Sequence, residues 1–156
     1  VSERGRAQAR VQAARAELAT RERWSSERTS ISLLDSAWPR LQAGLAARWR
    51  EPAGRRAWAR RYLGEALARL PRGPWQVRHA AGWSGSEKRE IVAWLRGELG
   101  ADPGLQVDDG MEAGLVVEYE GALLDASLDG LTEDRSRLEA RLLALLTDAH
   151  DASAGD

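Results

Sequence analysis

Few side chains in this sequence combine the type and the spacing that support chemistry. The two histidines, His79 and His150, have no second ligand at metal-binding spacing, and the chain contains no cysteine. The segment GWSGS at 82–86 is close to the Gly-x-Ser-x-Gly turn that presents a nucleophilic serine, but its second glycine comes one residue early. No hydrolase strand–turn–helix pattern surrounds it, so Ser84 is better interpreted as a helix cap.

Acidic residues in the predicted turns do not form a recognisable site either. Asp102, Asp108, Asp109 and Glu112 loosely suggest calcium, but their spacing does not fit a helix–loop–helix site, and turn carboxylates are usually solvated. Asp125 has no partner in the sequence that would make it an acid or a base. The glycine-rich turns lack the phosphate-loop and dinucleotide patterns. We therefore predict no catalytic residue, no metal and no cofactor, and a protein that is not an enzyme.

Basic and acidic residues are segregated along the chain, although the net charge of its 156 residues is only −1. Residues 1–70 carry 15 arginines against 7 acidic residues, whereas residues 101–156 carry 3 arginines against 14 acidic residues. The basic half suits an acidic partner, the chain's own acidic half or plain solvation. A nucleic-acid-binding module is the lower-ranked alternative. We expect no nucleic acid partner, because the arginines are spread around helices and no nucleic-acid motif occurs.

Length and composition favour one globular domain, with or without an appended helix. With 43% hydrophobic and 30% charged residues, the chain has enough apolar side chains to form a core. The absence of cysteine suits a reducing or a redox-indifferent compartment, and no apolar run approaches the ~18 residues that span a bilayer. The arginine-rich start lacks the apolar core of a secretory signal. The first residue is Val1 rather than methionine, so we expect a fragment, a trimmed form or an alternative start.

A long polar helix is predicted over residues 1–36. Residues 2–35 contain no proline and are rich in alanine, arginine, glutamate and glutamine, which favour helix. Apolar residues are sparse, and a helix with so narrow an apolar stripe usually frays or pairs with another helix. The predicted interface with a partner helix consists of Val11, Ala14, Leu18, Trp24 and Ile31.

The following residues, 37–147, are predicted to form a small globular part. Ser36 is a good N-cap for a second helix with Pro39 in its first turn, and Pro52 opens a third helix. WQVRHA at 75–80 predicts a short strand. Ser84 and Glu87 then have the spacing of a capping box.

The hydrophobic alternation of residues 114–127 predicts a β-hairpin with Glu120 and Gly121 as a two-residue turn. The predicted pairs are Tyr119 with Ala122, Val117 with Leu124, and Leu115 with Ala126. A register shifted by one residue would bury Asp125 among these apolar side chains, so the pattern specifies which residues face the core. A four-residue loop gives the same alternation, and the loop length stays open.

An amphipathic helix is predicted from Leu128 to about Leu146 or Thr147, followed by a disordered acidic tail over 148–156. The element order is helix, helix, helix, strand, helix, short strand, hairpin and helix. The predicted fold class is α+β: a long N-terminal helix of the coiled-coil type, then a small sheet and hairpin packed by helices.

The segment AGLVVEYEGALLDASLDGL at 113–131 resembles the end of the E-type peripheral-stalk subunits of V/A-type ATPases. The matching residues are Gly114, Val116 and Val117 before the turn, and Gly121, Asp125, Ser127 and Leu128 from the turn onward. Gly130 departs from that pattern, because it falls where the last helix should begin. The order of the upstream elements is also similar, over roughly residues 30–147. DASL at 125–128 equally resembles the related stator proteins of flagellar and type III secretion ATPases.

This resemblance implies a stator rather than an enzyme. In both branches a long N-terminal helix pairs with a partner helix, and the globular C-terminal part grips the ATPase hexamer. The resemblance therefore implies a non-catalytic peripheral-stalk subunit of a rotary V/A-type ATPase, which resists rotation and supports proton or ion transport. Its implied partners are a second stalk subunit of the G/H type, the catalytic hexamer and, indirectly, the membrane sector. The implied location is cytoplasmic and peripheral to the membrane. The alternative is a stator or regulator of a flagellar or type III secretion ATPase, which homodimerisation through residues 2–35 would favour.

Overall fold

The structure, a computed structural model, describes the backbone of residues 3–153 and the side chains of residues 8–145. The fold is α+β, as predicted: a long N-terminal helix is followed by a small four-stranded sheet with helices. The elements are α1 (Glu3–Arg50), α2 (Pro52–Arg69), β1 (Gln76–His79), α3 (Gly85–Leu99), β2 (Gly104–Val107), β3 (Gly114–Tyr119), β4 (Ala122–Ser127), α4 (Leu128–Thr132) and α5 (Arg135–Ser153).

The chain forms two compact units. The first, which we call the helical unit, comprises residues 1–39 and 139–156, and so contains most of α1 and most of α5. The second, which we call the sheet unit, comprises Arg40–Leu138 and contains the end of α1, the whole sheet and helices α2 to α4.

Helix α1 runs through the position where the sequence predicted a break. The predicted cap at Ser36 is wrong: its Oγ donates to the carbonyl of Leu33 at 2.9 Å, within a continuous helix of 48 residues. Pro39 therefore lies inside the helix, where a proline costs about 3 kcal/mol. Strong helix formers on both sides and the burial of Ala46 and Trp49 in the core of the sheet unit offset this cost.

The sheet is mixed, with strand order β2-β1-β3-β4. Strand β1 is parallel to β2 and antiparallel to β3, which is antiparallel to β4. One face of the sheet is apolar and contributes Val77, Leu115, Val117 and Leu124 to the core, together with the buried faces of α2 and α3. The other face exposes polar side chains at Gln76, Gln106, Glu118 and Asp125.

Several local predictions are confirmed. Ser84 and Glu87 form the capping box of α3, because the backbone N–H of Glu87 donates to Ser84 Oγ and the N–H of Ser84 donates to Glu87 Oε2. The hairpin has the predicted register, from Tyr119 opposite Ala122 to Leu115 opposite Ala126. Its loop is the two-residue turn, with φ of 49° at Glu120 and 79° at Gly121, as a hairpin turn of type I′ requires.

The single C-terminal helix predicted from Leu128 is wrong, because the chain forms α4 and then α5. The side chain of Asp134 starts the second helix by accepting from the backbone N–H of Arg137 at 3.1 Å. Helix α5 also continues to Ser153 rather than ending near Thr147. The predicted disorder of the tail stays a prediction for residues 154–156, which lie outside the described residues.

Candidate interaction surfaces

The sheet unit contains one deeply buried ion pair, between Arg55 of α2 and Glu87 of α3. The Arg55 guanidinium donates to Glu87 through Nε at 3.2 Å and through Nη2 to both carboxylate oxygens, at 3.0 and 3.1 Å. The two side chains are only 6% and 11% exposed. Burial alone would raise the pKa of Glu87, but hydrogen bonds from Ser84 and Arg55 outweigh it and leave the pKa below its ordinary value.

The same guanidinium also ties down the end of α1. Arg55 Nη1 donates to the carbonyls of Trp49 at 3.0 Å and Arg50 at 3.1 Å. These carbonyls lie in the last turn of α1, where no intrahelical donor remains for them. One side chain therefore connects the C-terminal end of α1, the first turns of α2 and the capping box of α3.

Tryptophan rings pack against one another where α1 ends and α2 begins. Trp49 contacts Trp58 edge to face at 5.8 Å between ring centroids, and contacts Trp83 at 6.0 Å. Trp49 Nε1 donates to the carbonyl of Ala81, and Trp58 Nε1 donates to that of Ala126, both at 2.9 Å. The indole N–H groups are therefore satisfied, and the tryptophans anchor α1 and α2 to the core.

His79 belongs to the same aromatic cluster and is fully buried. Its ring stacks on Trp83 at 4.1 Å, and its Nδ1 lies 2.8 Å from the carbonyl oxygen of Ala80, to which it donates. Its Nε2 is buried without a hydrogen-bond partner. Burial lowers the pKa of His79, since the charged ring would lose its hydration. The position serves packing of the aromatic cluster.

The residues that carry the family resemblance meet at the junction of β4 and α4. Asp125 Oδ1 accepts from the backbone N–H of Ser127 at 2.9 Å and from its hydroxyl at 2.6 Å. Ser127 Oγ then accepts from the backbone N–H of Gly130 at 3.0 Å, and so caps α4. The Cα of Gly130 lies so close to Asp125 that a β-carbon there would overlap the carboxylate. A side chain at position 130 would therefore displace the Asp125 carboxylate from its bonds to Ser127.

The other motif residues are also held by the fold. Gly114 has a φ of 94°, and a β-carbon there would lie 2.3 Å from the carbonyl oxygen of Ala126. Val117 and Leu128 are buried in the core, and Val116 is buried on the opposite face of the sheet. Gly121 supplies the positive φ of the turn. Among these motif residues, Asp125 and Gly121 are exposed, and the others are buried.

The five residues predicted to contact a partner helix all lie on α1 and are all exposed. The exposed fractions are 51% for Val11, 58% for Leu18, 65% for Trp24 and 60% for Ile31. The prediction missed Leu33, which is 52% exposed, because no sequence feature distinguishes it from the neighbouring Leu34, which is buried.

These apolar side chains do not form one continuous stripe. Val11 and Leu18 lie on one side of α1, and Trp24 and Ile31 lie about 120–160° away, at about 100° of rotation per residue. Beside Trp24 and Leu33 the helical unit has an open groove of about 620 Å³, whose walls include Arg21 and Arg28. Arg21 is held by Glu17 at 2.9 Å. The structure thus divides the predicted interface into two exposed apolar groups.

No protein-family model matches this chain, and neither does any curated protein. Within the described residues, no group of three or more histidine, cysteine or acidic side chains is arranged to hold a metal ion. In the same part of the chain, no helix has the length and the apolar composition that crossing a bilayer requires.

Proposed function

We propose that this chain is a non-catalytic stator subunit of a rotary ATPase of the V/A type. The observation that carries the proposal is the set of large apolar side chains exposed along α1, namely Val11, Leu18, Trp24 and Ile31. A helix that exposes tryptophan, isoleucine and leucine to this extent gains stability when another chain covers them. The resemblance of residues 113–131 to the E-type stalk subunits supports a rotary ATPase as the complex.

The mechanism would be mechanical. Helix α1 has 48 residues and, at about 1.5 Å per residue, is about 72 Å long, a length suited to pairing with a second helix. Arg55 and Trp49 fix the C-terminal end of α1 to the sheet unit by hydrogen bonds to main-chain carbonyls. A load along the paired helices would thus pass into packed side chains of the sheet unit, which would contact the catalytic hexamer. Peripheral association with the membrane would follow from the complex.

Co-expression with rotary-ATPase stalk subunits and with the ATPase hexamer, followed by native mass measurement, tests this proposal. We expect a heterodimer with a small helical stalk subunit, which then binds the hexamer. A chain that stays monomeric with every ATPase component refutes the proposal. A homodimer that forms through residues 2–35 and ignores the rotary subunits refutes the rotary assignment and favours the secretion-ATPase alternative.

A matched pair of variants locates the interface. Trp24→Asp places a charge in the exposed apolar group, whereas Ser26→Asp introduces the same residue two positions on, about 200° around the helix. Both side chains are exposed, so neither change disturbs the core. We expect Trp24→Asp to weaken heterodimer formation at least tenfold and Ser26→Asp to change it less than about threefold. Equal effects of the two variants would contradict an interface at Trp24.

A further inference from the structure

Strand β4 is the last strand of the sheet, and its outer edge carries unpaired main-chain groups. Because the hairpin closes with a two-residue turn, Ala122, Leu124 and Ala126 are the residues that hydrogen-bond to β3. The N–H and C=O groups of Leu123 and Asp125 therefore point away from the sheet. Among the described residues no hydrogen bond reaches these four groups, whereas the next outward N–H, that of Ser127, is occupied by the Asp125 side chain.

A cavity of about 230 Å³ lies beside this edge, on the side of the sheet that faces α2. Its apolar walls are Tyr62 of α2, Leu70, which directly follows α2, Leu124 of β4 and Leu131 of α4. Its rim includes Glu65 and Arg69, which form an ion pair with each other. This volume is below the range of about 300–1,000 Å³ that is usual for small-molecule sites. It suits a single inserted side chain.

The opposite side of the edge is acidic. Glu118 and Asp125 are exposed there, Glu120 lies in the turn, and Asp129 follows the strand. None of these four carboxylates forms an ion pair within the described residues. Charge on an edge strand normally discourages pairing with a second copy, since two acidic edges would lie side by side. The same charge attracts a strand that carries lysine or arginine.

We propose that the β4 edge binds an extended segment of a partner protein, in which basic and apolar residues alternate, as a fifth strand of the sheet. The main-chain groups of Leu123 and Asp125 would supply the hydrogen bonds. Side chains of the bound strand alternate between its two faces, so the residue opposite Leu124 enters the cavity and its neighbours meet the acidic side. This inference goes beyond the stator function and does not depend on it.

The test uses the full chain and a labelled heptapeptide that alternates lysine and valine, with binding measured by fluorescence anisotropy and amide exchange measured by NMR. At saturating peptide, we expect exchange of the Leu123 and Asp125 amides to slow at least tenfold. A peptide with glutamate in place of lysine should bind at least tenfold more weakly. No binding at millimolar peptide, or protection confined to other amides, overturns the proposal.

Peptide methylation provides a control that leaves the protein unchanged. A strand added to an edge uses only every second amide, so N-methylation of one alternate set should reduce affinity at least tenfold and methylation of the other set should not. If methylation of the lysine amides reduces affinity, the bound strand is antiparallel to β4; if methylation of the valine amides reduces it, the strand is parallel. Equal affinity of the unmodified and both methylated peptides overturns strand addition.

The corresponding protein variants are Leu123→Pro, which removes an outward N–H that an edge strand can spare, and Leu123→Ala, which keeps it. We expect at least tenfold weaker peptide binding for the proline variant than for the alanine variant, with unchanged circular dichroism. If the proline variant fails to fold, the methylated peptides decide. Dimerisation of the unmodified chain that Leu123→Pro abolishes would overturn the assignment to a foreign partner.

Discussion

The buried ion pair between α2 and α3 allows a sharp test of what holds the sheet unit together. Replacing Glu87 by alanine leaves the Arg55 guanidinium, only 6% exposed, with the carbonyls of Trp49 and Arg50 as its remaining partners. Removing one member of a buried pair typically costs about 3–5 kcal/mol, because the other charge stays buried without compensation. The variant also removes the carboxylate that accepts from the backbone N–H of Ser84.

The same two helices provide the matched control. Arg60 and Glu90 form an ion pair of the same residue types at 3.1 Å, but these side chains are 56% and 57% exposed. Replacing Glu90 by alanine should therefore cost less than about 1 kcal/mol, since water screens and replaces the interaction. The contrast between the two variants reports the effect of burial together with the loss of the capping-box hydrogen bond from Ser84.

Urea unfolding followed by tryptophan fluorescence measures both variants. With a slope of about 2 kcal/mol per molar urea, a loss of about 4 kcal/mol lowers the midpoint by about 2 M for Glu87→Ala. Glu90→Ala should lower it by less than about 0.5 M. Equal shifts for the two variants would refute the argument from burial. The argument would also be refuted if the double variant Arg55→Ala, Glu87→Ala lost as much stability as the two single variants lose in sum.

Three further changes test other contacts. His79 in the unfolded chain binds a proton near pH 6.5, whereas the folded ring has a lower pKa. As the pH decreases from 6.5, the free energy of unfolding should therefore decrease by up to about 1.4 kcal/mol per pH unit. Urea titrations of His79→Phe should show a smaller decrease. Gly114→Ala should lower the free energy of unfolding by about 2–4 kcal/mol, because the position has a positive φ and a β-carbon there would overlap Ala126. Gly64→Ala, at an open position within a helix, should raise it by about 0.5–1 kcal/mol. Similar melting temperatures of the two variants would contradict this reasoning. Ser127→Ala removes the cap of α4 and should cost about 0.5–2 kcal/mol in the same melts, and no change would exclude a stabilising cap.

Local sequence signals predicted the elements whose hydrogen bonds are also local. The capping box joins Ser84 to Glu87, three residues away, and the hairpin pairs residues around a two-residue turn. In both cases the residues that specify the structure are the ones that form it. The parity of the hairpin followed from excluding Asp125 from the core, and the structure exposes Asp125.

Predictions failed where distant contacts override a local preference. Ser36 and Pro39 have the types that start a helix, yet the flanking helix formers and the buried turn at Trp49 keep α1 continuous. No local feature separates Arg55, which is buried, from Arg56, which is exposed, because the partner Glu87 lies 32 residues away.

The division of the sheet between near and distant pairings sets the order in which it can assemble. Strands β3 and β4 meet across two residues, a closure that takes microseconds, whereas β1 must join β3 and β2 across intervening helix and loop. We expect the hairpin to form early, and both of its edges to stay unpaired until β1 pairs with β3 and β2. During that interval, repulsion between the carboxylates of the hairpin would disfavour edge-to-edge pairing of two partly folded chains.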